Sequence, residues 1–272
     1  MSFDQIENSN AEGRPVFLYS FNLGAATWRY TSSDEDRIVS GFKWTAVPIS
    51  DDGIKLTGEA TTDALAITAP STIGPVQVFI GTPPSQEIIV NVWHLHEGDS
   101  EAALCYAGEL AQVDFPQPGQ AKMICHTLSA SMQRDGLRFG WQRACPYAVY
   151  DELTCKVKKE DHGVAAVIIS ASNGVVNAAE LASKPDGTFI GGFIEWEHPV
   201  RGREYRGIED HVGENITMFG LTDGLYYGLK VTAYPGCNRT AQMCRELFDN
   251  LDEFGGVPHM PGKSPFDGDP VF

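Results

Sequence analysis

Four of the six cysteines in this 272-residue chain fall into two close pairs, and these are the residues best suited to chemistry. Cys145 and Cys155 have nine residues between them, and Cys237 and Cys244 lie seven positions apart. Four thiolates can hold a [4Fe–4S] cluster or a zinc ion, although the two-residue spacing of zinc ribbons is missing here. From spacing alone, a metal centre, buried free thiols and a late disulfide all stay open.

The second pair lies where the sequence predicts a short amphipathic helix that starts at Asn238 or Thr240 and ends before Gly255. Its apolar positions recur with helical spacing, and prolines follow at 258 and 261, where they prevent continuation. Seven positions are close to two helical turns, so the two sulfurs could point the same way. We expect the helix N-terminus to favour the thiolate form of Cys237.

The remaining reactive side chains have competing interpretations. Cys237 with His211 or His259 as its base would make a papain-like peptidase, but this leaves the other three paired cysteines unexplained. Cys105 and Cys125 fall in strand-like runs, where we expect small core side chains.

Two groups of polar residues could also bind a metal or transfer protons. His94 and His96 lie on the same face of one predicted strand, which suits a metal but more often marks an exposed or capped strand face. The carboxylates and histidines from Glu195 to His211 could act as acids and bases, yet we expect the solvated side of a hairpin.

Charge and composition narrow the function classes. The formal net charge is −16, with 17 acids and 7 bases before Gly136 and 19 acids and 13 bases from there on, so neither half is basic. Binding to a nucleic-acid backbone depends on Lys and Arg, so this class is disfavoured. The polar start of the chain is unlike a signal peptide and no stretch has the length of a membrane span, so we expect assembly in a reducing cytoplasm.

Short strand patterns separated by turn residues predict a mainly β (α+β) fold. A β-barrel or β-sandwich domain is expected over 1–137, and its first 14 residues are expected to form a flexible or docking arm. A second β-rich domain with a short C-terminal helix is expected over 138–272. Expected strands include the segment 122–132, which closes the first domain, and expected turns include Asn173-Gly174, a favourable hairpin pair. The tail from Lys263 is expected to be irregular.

Five stretches resemble one protein family, the tail-hub proteins of siphophages and related gene transfer agents. The C-terminal part is also similar to the iron–sulfur domain of phage lambda tail-tip protein L. The stretches are TWRYTS at 27–32, GFKWTAVPISDDGIK at 41–55, RACPYAVYDELTC at 143–155, PGCNRTAQMC at 235–244 and FGGVPHMPG at 254–262.

The resemblance implies a structural virion protein at the tail tip and not an enzyme. Family hubs form a ring, a homotrimer, between the distal tail protein and the central tail fibre or receptor-binding protein. The C-terminus of the tape measure protein is a further partner, and DNA leaves through the lumen without specific binding.

By motif, the family's structural [4Fe–4S] cluster maps onto Cys145, Cys155, Cys237 and Cys244, with zinc as the alternative metal. The sequence departs from the family pattern at Tyr147, where histidine is usual, and at Lys156, where glycine is common. Neither change removes a thiolate.

Overall fold

The structure is a computed structural model that describes residues 15–55, 57, 63–96, 102–132 and 140–260. The arm expected at 1–14, the domain boundary expected near residue 137 and the irregular tail expected from residue 263 lie outside these residues. The chain divides into two compact units. The first comprises Met1–Asp135 with Glu197–Glu204, and the second comprises Gly136–Trp196 with Tyr205–Phe272.

Strands make up most of the regular structure in the described residues, so the predicted mainly β fold is confirmed. The strands are β1 Pro15–Leu23, β2 Ala26–Thr31, β3 Arg37–Val39, β4 Phe42–Ala46, β5 Ser50–Asp51, β6 Leu65–Pro70, β7 Ile88–His96, β8 Ala103–Gln117, β9 Gln120–Thr127, β10 Val164–Val167, β11 Ser170–Ser172, β12 Val175–Asn177, β13 Phe193–His198, β14 Gly202–Val212, β15 Asn215–Met218 and β16 Lys230–Tyr234.

The described helices are short. They are the α-helices α1 Gly74–Gln77, α2 Leu128–Met132 and α3 Ala241–Glu246, and the 3₁₀ turns Lys159–Asp161, Ala179–Ser183 and Leu251–Glu253. The strand expected over 122–132 is wrong in its last part, because α2 begins after Thr127 in a segment without β-branched residues. Across the described ranges, no helix combines the length and the apolar character needed to cross a membrane.

The first unit is built on a nine-stranded sheet with the order β3-β4-β2-β1-β7-β8-β9-β6-β5. Only residues 47–49 join β4 to β5, although these strands lie near opposite ends of that order. An extended residue covers about 3.5 Å, so the sheet has to curl until its ends approach each other. The main core fills the inside of this curl, with Phe21, Ile67, Val90 and Met123 among its fully buried side chains.

The second unit also has a curled sheet, with seven strands in the order β10-β16-β13-β14-β15-β12-β11. Strands β10 and β11 stand at the two ends of this order, yet only residues 168 and 169 join them. The Ile168 N–H donates to the Leu229 carbonyl. The predicted hairpin turn at Asn173-Gly174 is confirmed, since these residues have φ values of 50° and 78° between β11 and β12.

Candidate metal centre

The first cysteine pair lies on an irregular loop that its own side chains fold. The Asp151 carboxylate accepts hydrogen bonds from the Thr154 backbone N–H at 2.8 Å and from the Thr154 hydroxyl. The Asp151 carbonyl accepts from the Lys156 N–H at 2.7 Å. Because the carboxylate is the acceptor, the Thr154 bonds hold the pKa of Asp151 below its usual value. The loop between the two cysteines is therefore tied into a compact turn.

Lys156 explains one departure from the family pattern. Its φ is +60°, a left-handed conformation that glycine adopts without a steric penalty and that a lysine adopts at a cost. The Lys156 ammonium lies 2.8 Å from the Glu253 carboxylate in a surface ion pair. The backbone at this position therefore has the shape that favours glycine, and the lysine is tolerated beside an acidic partner.

The second cysteine pair flanks the start of α3. Thr240 is the N-cap, and its hydroxyl accepts from the Met243 N–H at 3.2 Å. The Arg239 N–H points to the Cys237 sulfur at 3.4 Å. Of the two predicted helix starts, Asn238 and Thr240, the structure has the second. The helix α3 ends at Glu246 instead of running to Gly255, since Asp249 takes a left-handed φ of +46°.

Backbone and side-chain hydrogen bonds join the two cysteine loops. The Cys145 N–H donates to the Arg239 carbonyl at 2.9 Å, between Cys237 and Cys244 in sequence. Asn250 bridges Cys155 and Cys244. Its side-chain amide donates to the Cys155 carbonyl at 2.6 Å, and its backbone N–H donates to the Cys244 carbonyl at 3.0 Å. All four cysteines thus belong to one hydrogen-bonded assembly within the second unit.

The glycine pair after α3 lets the chain return to the Cys145 loop. A side-chain carbon on Gly256 would lie 2.6 Å from the Arg143 carbonyl oxygen, and one on Gly255 would collide with the ring of Tyr147. The Val257 N–H then donates to the Gln142 carbonyl at 2.9 Å. Only glycine permits this approach, which accounts for the Gly255-Gly256 part of the family-like stretch at 254–262; residues 261 and 262 of that stretch lie outside the described residues.

Tyr150 packs at the junction of the two loops. Its hydroxyl donates to the carbonyl of buried Pro235 at 2.8 Å, two residues before Cys237. Its ring makes edge contacts with Phe193, Tyr234 and Phe248 at centroid distances of 6.0–6.2 Å. The sequence analysis did not identify Tyr150 or Asn250, because neither residue type nor spacing marks a residue that bridges two distant loops.

Electrostatic interactions link the Cys237 and Cys244 thiols to the other cysteines of the assembly. Burial raises the pKa of the Cys244 thiol, and the negative charges of Cys237, Cys155 and Cys145 raise it further. Burial likewise raises the pKa of Cys237, with smaller contributions from Cys155 and Cys145. The expectation that the helix would favour the Cys237 thiolate is wrong, since Cys237 lies three residues before the N-cap of a six-residue helix.

Four thiols within one hydrogen-bonded assembly are a donor set that a [4Fe–4S] cluster and a tetrahedral zinc can both use. A tetrahedral zinc with bonds of about 2.3 Å holds its sulfurs about 3.8 Å apart. In the described part of the chain, no three His, Cys, Asp or Glu side chains stand together as ligands for one metal ion. A [4Fe–4S] cluster bonds each thiolate to a different iron, so it holds its four sulfurs farther apart than a zinc ion does.

The peptidase interpretation of Cys237 lacks its base. A papain-like nucleophile needs a histidine beside the sulfur and a lowered thiol pKa. Within the described residues the groups that influence the Cys237 thiol are Arg239 and other cysteines, and its pKa is raised. His211 is buried against Phe189 at a centroid distance of 4.7 Å, with Nε2 3.1 Å from the Gly213 carbonyl oxygen. Among the described residues, the groups that act on the Cys237 thiol include neither His211 nor His259.

The two cysteines outside the pairs differ from each other. Cys125 is fully buried in the first core, as predicted, and burial raises its pKa to about 12. The core prediction for Cys105 is wrong, because its side chain is exposed. Val92 pairs with Tyr106 and Trp93 pairs with Leu104, so Cys105 is the extra residue of a β-bulge.

The two polar groups singled out in the sequence are more buried than expected. The rings of His94 and His96 lie 5.1 Å apart, but His96 is buried and His94 stacks on Phe17 at 4.9 Å, so this is not an exposed strand face. The solvated-hairpin expectation for residues 195–211 is wrong for Glu204 and His211, which are both 1% exposed.

Comparisons with known proteins give one family match and one partial relative. Residues 187–264 match the model of a family described as "Phage conserved hypothetical protein BR0599", a span that includes Cys237 and Cys244 but is under half of the chain. An uncharacterized protein of Xylella fastidiosa (strain 9a5c) is 31% identical over 118 residues, which cover 43% of this chain and 24% of that relative. The match therefore spans about a quarter of the relative's length.

A solved structure shares the fold over nearly the whole chain. It is a chain from the virion of a native gene transfer agent particle, and the TM-score is 0.79 at 18% sequence identity. The likeness covers 99% of this chain and 96% of the other. At this identity the comparison shows the fold, which both units share with that chain.

Proposed function

We propose that this chain is a non-enzymatic structural protein of a phage-type or gene transfer agent tail, and that it forms the hub ring at the tail tip. The observation that carries the proposal is the fold likeness to a virion chain over 99% of this chain, which leaves neither unit outside the comparison. The phage family match over residues 187–264 and the family-like stretches around the cysteines support the same role.

In this proposal the first unit is the hub domain and the second is the iron–sulfur domain. Three copies form a ring that contacts the distal tail protein on one side and the central fibre or receptor-binding protein on the other. The C-terminus of the tape measure protein reaches the ring before DNA passes through. An excess of 36 acidic over 20 basic residues supports a lumen wall that repels DNA and does not bind it.

We further propose that Cys145, Cys155, Cys237 and Cys244 hold a structural [4Fe–4S] cluster similar to that of the lambda tail-tip protein L domain. When bound, such a cluster would supply four iron–thiolate bonds that cross-link the two loops, and zinc is the alternative metal. The chain's own residues prepare this link: Asn250 fixes the Cys155 and Cys244 backbones, and the Arg239 carbonyl fixes Cys145.

The hub proposal is tested on intact particles. Mass spectrometry of purified tails should find this protein in the same copy number as one hub ring, and labelling with an antibody against the chain should mark the distal tip. A chain that is absent from particles, or distributed along the tail, would refute the hub assignment.

The cluster proposal is tested on protein purified without oxygen. We expect a broad brown absorbance and about four irons per chain, lost in Cys237→Ser and Cys145→Ser. Cys105→Ser is the matched control, since the exposed Cys105 lies outside both pairs and should keep the colour. One zinc per chain without colour would favour the zinc alternative, and unchanged iron in all four ligand variants would refute the site.

A further inference from the structure

A group of large apolar side chains stands exposed on one loop of the second unit, the segment 219–229 between β15 and β16. Four large apolar residues of this loop are 59–80% exposed, namely Phe219, Leu221, Tyr226 and Tyr227. Single exposed apolar residues are ordinary on a protein surface, but several large ones close together mark an interaction site. The hydrogen bonds that join the cysteine loops involve none of these four residues.

Hydrogen bonds to β14 hold the first half of the loop. The Phe219 N–H donates to the Gly207 carbonyl at 2.9 Å, and the Phe219 ring covers Gly207 so closely that a side-chain carbon there would lie 2.9 Å from it. The guanidinium of buried Arg206 donates to the carbonyls of Leu221 and Asp223. The backbone beneath the exposed side chains of this half is therefore fixed.

The second half of the loop is anchored in the core. Leu225 and Leu229 are buried among the core side chains of the second unit, whereas residues 226–227 between them are exposed. The Gly228 N–H donates to the Ile168 carbonyl at 2.8 Å, which fastens the end of the loop beside β10. A loop held in this way has little conformational freedom to lose when a partner covers it.

The exposed rings are large enough to form the centre of a protein interface. The exposed fractions of Phe219, Tyr226 and Tyr227 together equal about two whole aromatic side chains. Because one aromatic side chain has roughly 150–250 Å² to bury, these rings offer roughly 300–500 Å². One side of a standard interface buries about 800 Å², a little over half of it apolar. The loop therefore supplies about the apolar area that one partner contributes to a stable interface.

The charge of the loop favours a second copy of this chain as the partner. Asp223 is the one charged residue in the sequence of 219–229 and Lys230 follows the loop, so together they carry no net charge, although the whole chain carries −16. Two copies repel each other where their acidic surfaces meet, and least where the contact is neutral. A basic partner would be drawn to the acidic surface elsewhere, whereas a neutral apolar loop fits a surface of its own kind.

We propose that the loop 219–229 is the contact through which copies of this chain associate. The exposed rings of one copy pack against the same loop of the next, and at the rim Asp223 of one copy faces Lys230 of the other. Each copy of a ring repeats one contact with its neighbour, so the inference rests on the proposed hub ring and names the surface that closes it.

The experiment is size-exclusion chromatography with light scattering, supported by native mass spectrometry, on the full chain purified without oxygen. Interfaces of standard size have Kd values in the μM range or tighter, so the wild type should form trimers at about 100 μM and dissociate on dilution. Phe219→Ser and Tyr226→Ser each remove one exposed ring from the loop. Each should weaken the association about tenfold or more, because a central aromatic side chain carries much of the binding energy of an interface.

Two variants serve as controls and should associate like the wild type. Trp141→Ser removes an exposed ring of the second unit that lies outside the loop, and Tyr227→Phe keeps its ring. Circular dichroism establishes that each variant is folded, and Tyr226→Ser carries the test if Phe219→Ser is not.

Three results would overturn the proposal: a wild type that is monomeric at about 100 μM, folded loop variants that associate like the wild type, or an equal loss of association in Trp141→Ser. A monomeric chain that binds another tail protein through this loop belongs to the first of these results. Trimers retained by the loop variants would refute this contact and leave the hub assignment standing. A chain that associates through the loop but is absent from particles would refute the hub assignment alone.

Discussion

Tyr150→Phe should loosen the two cysteine loops without disturbing the aromatic cluster around them. The change removes the hydroxyl that donates to the Pro235 carbonyl at 2.8 Å and leaves the ring contacts in place. Pro235 is buried, so its carbonyl loses a partner that water replaces poorly. We expect the free energy of unfolding to fall by about 1–2 kcal/mol.

A larger truncation sets the scale for this effect. Tyr150→Ala also deletes the edge contacts with Phe193, Tyr234 and Phe248, so it should cost about 3–5 kcal/mol. Tyr227→Phe is the control, because Tyr227 is 80% exposed, and its cost should stay within about 0.5 kcal/mol. The difference between the two Tyr→Phe variants isolates the hydroxyl bond from the loss of a hydroxyl in general.

Two assays on iron-free protein measure the change. Urea unfolding of the second unit gives the free energy, and the rate at which a thiol reagent labels the native protein reports local opening of the loops. A loss of 1–2 kcal/mol corresponds to labelling about 5–30 times faster. If Tyr150→Phe unfolds and labels like Tyr227→Phe, the hydroxyl does not join the loops and the reasoning is wrong.

Three further predictions concern the thiols, the glycine pair and a buried acid. Burial and neighbouring thiols raise the folded-state pKa of Cys237 and Cys244 above 9.0. The stability of iron-free protein should therefore be full below about pH 9 and fall as the pH rises beyond it. Cys244→Ser should reduce that slope in urea titrations, and an unchanged slope would contradict the assignment. Gly256→Ala should lower iron content and stability, by about 1–3 kcal/mol, since the added carbon meets a backbone oxygen at 2.6 Å; retention of full iron content would argue against the close approach. Glu204→Ala should lower the melting temperature more than Glu204→Gln, because the buried carboxylate accepts from the Ser85 hydroxyl at 3.1 Å and glutamine keeps an acceptor; equal losses would exclude that bond.

Local signals in the sequence were sufficient for much of the fold. Alternating apolar residues predict β1 and β7, Asn173-Gly174 predicts the hairpin turn, and Thr240 predicts the start of α3. Each of these features depends on residues within a few positions of one another, so the local sequence is enough to predict it. The mainly β class follows from such segments taken together.

Contacts between residues far apart in sequence decided the features that local patterns did not predict. The alternation of strand residues does not predict the β-bulge that exposes Cys105, because the bulge depends on how β8 pairs with β7. The same holds for Glu204, which is buried and accepts a hydrogen bond from Ser85, more than a hundred positions away. The helix dipole argument for Cys237 failed because burial raises the pKa of its thiol more than the Arg239 N–H lowers it, and because α3 is only six residues long.

By itself the sequence determined the spacing of the four cysteines, the hairpin turn at Asn173-Gly174 and the mainly β class. Only the tertiary structure decided that residues 47–49 and 168–169 curl each sheet, that Asn250 joins Cys155 to Cys244, and that Tyr150 reaches Pro235. The physical reason is the range of the forces concerned. Backbone preferences and hydrophobic alternation act between neighbours in sequence, whereas the cysteine assembly depends on contacts between loops that only the folded second unit brings together.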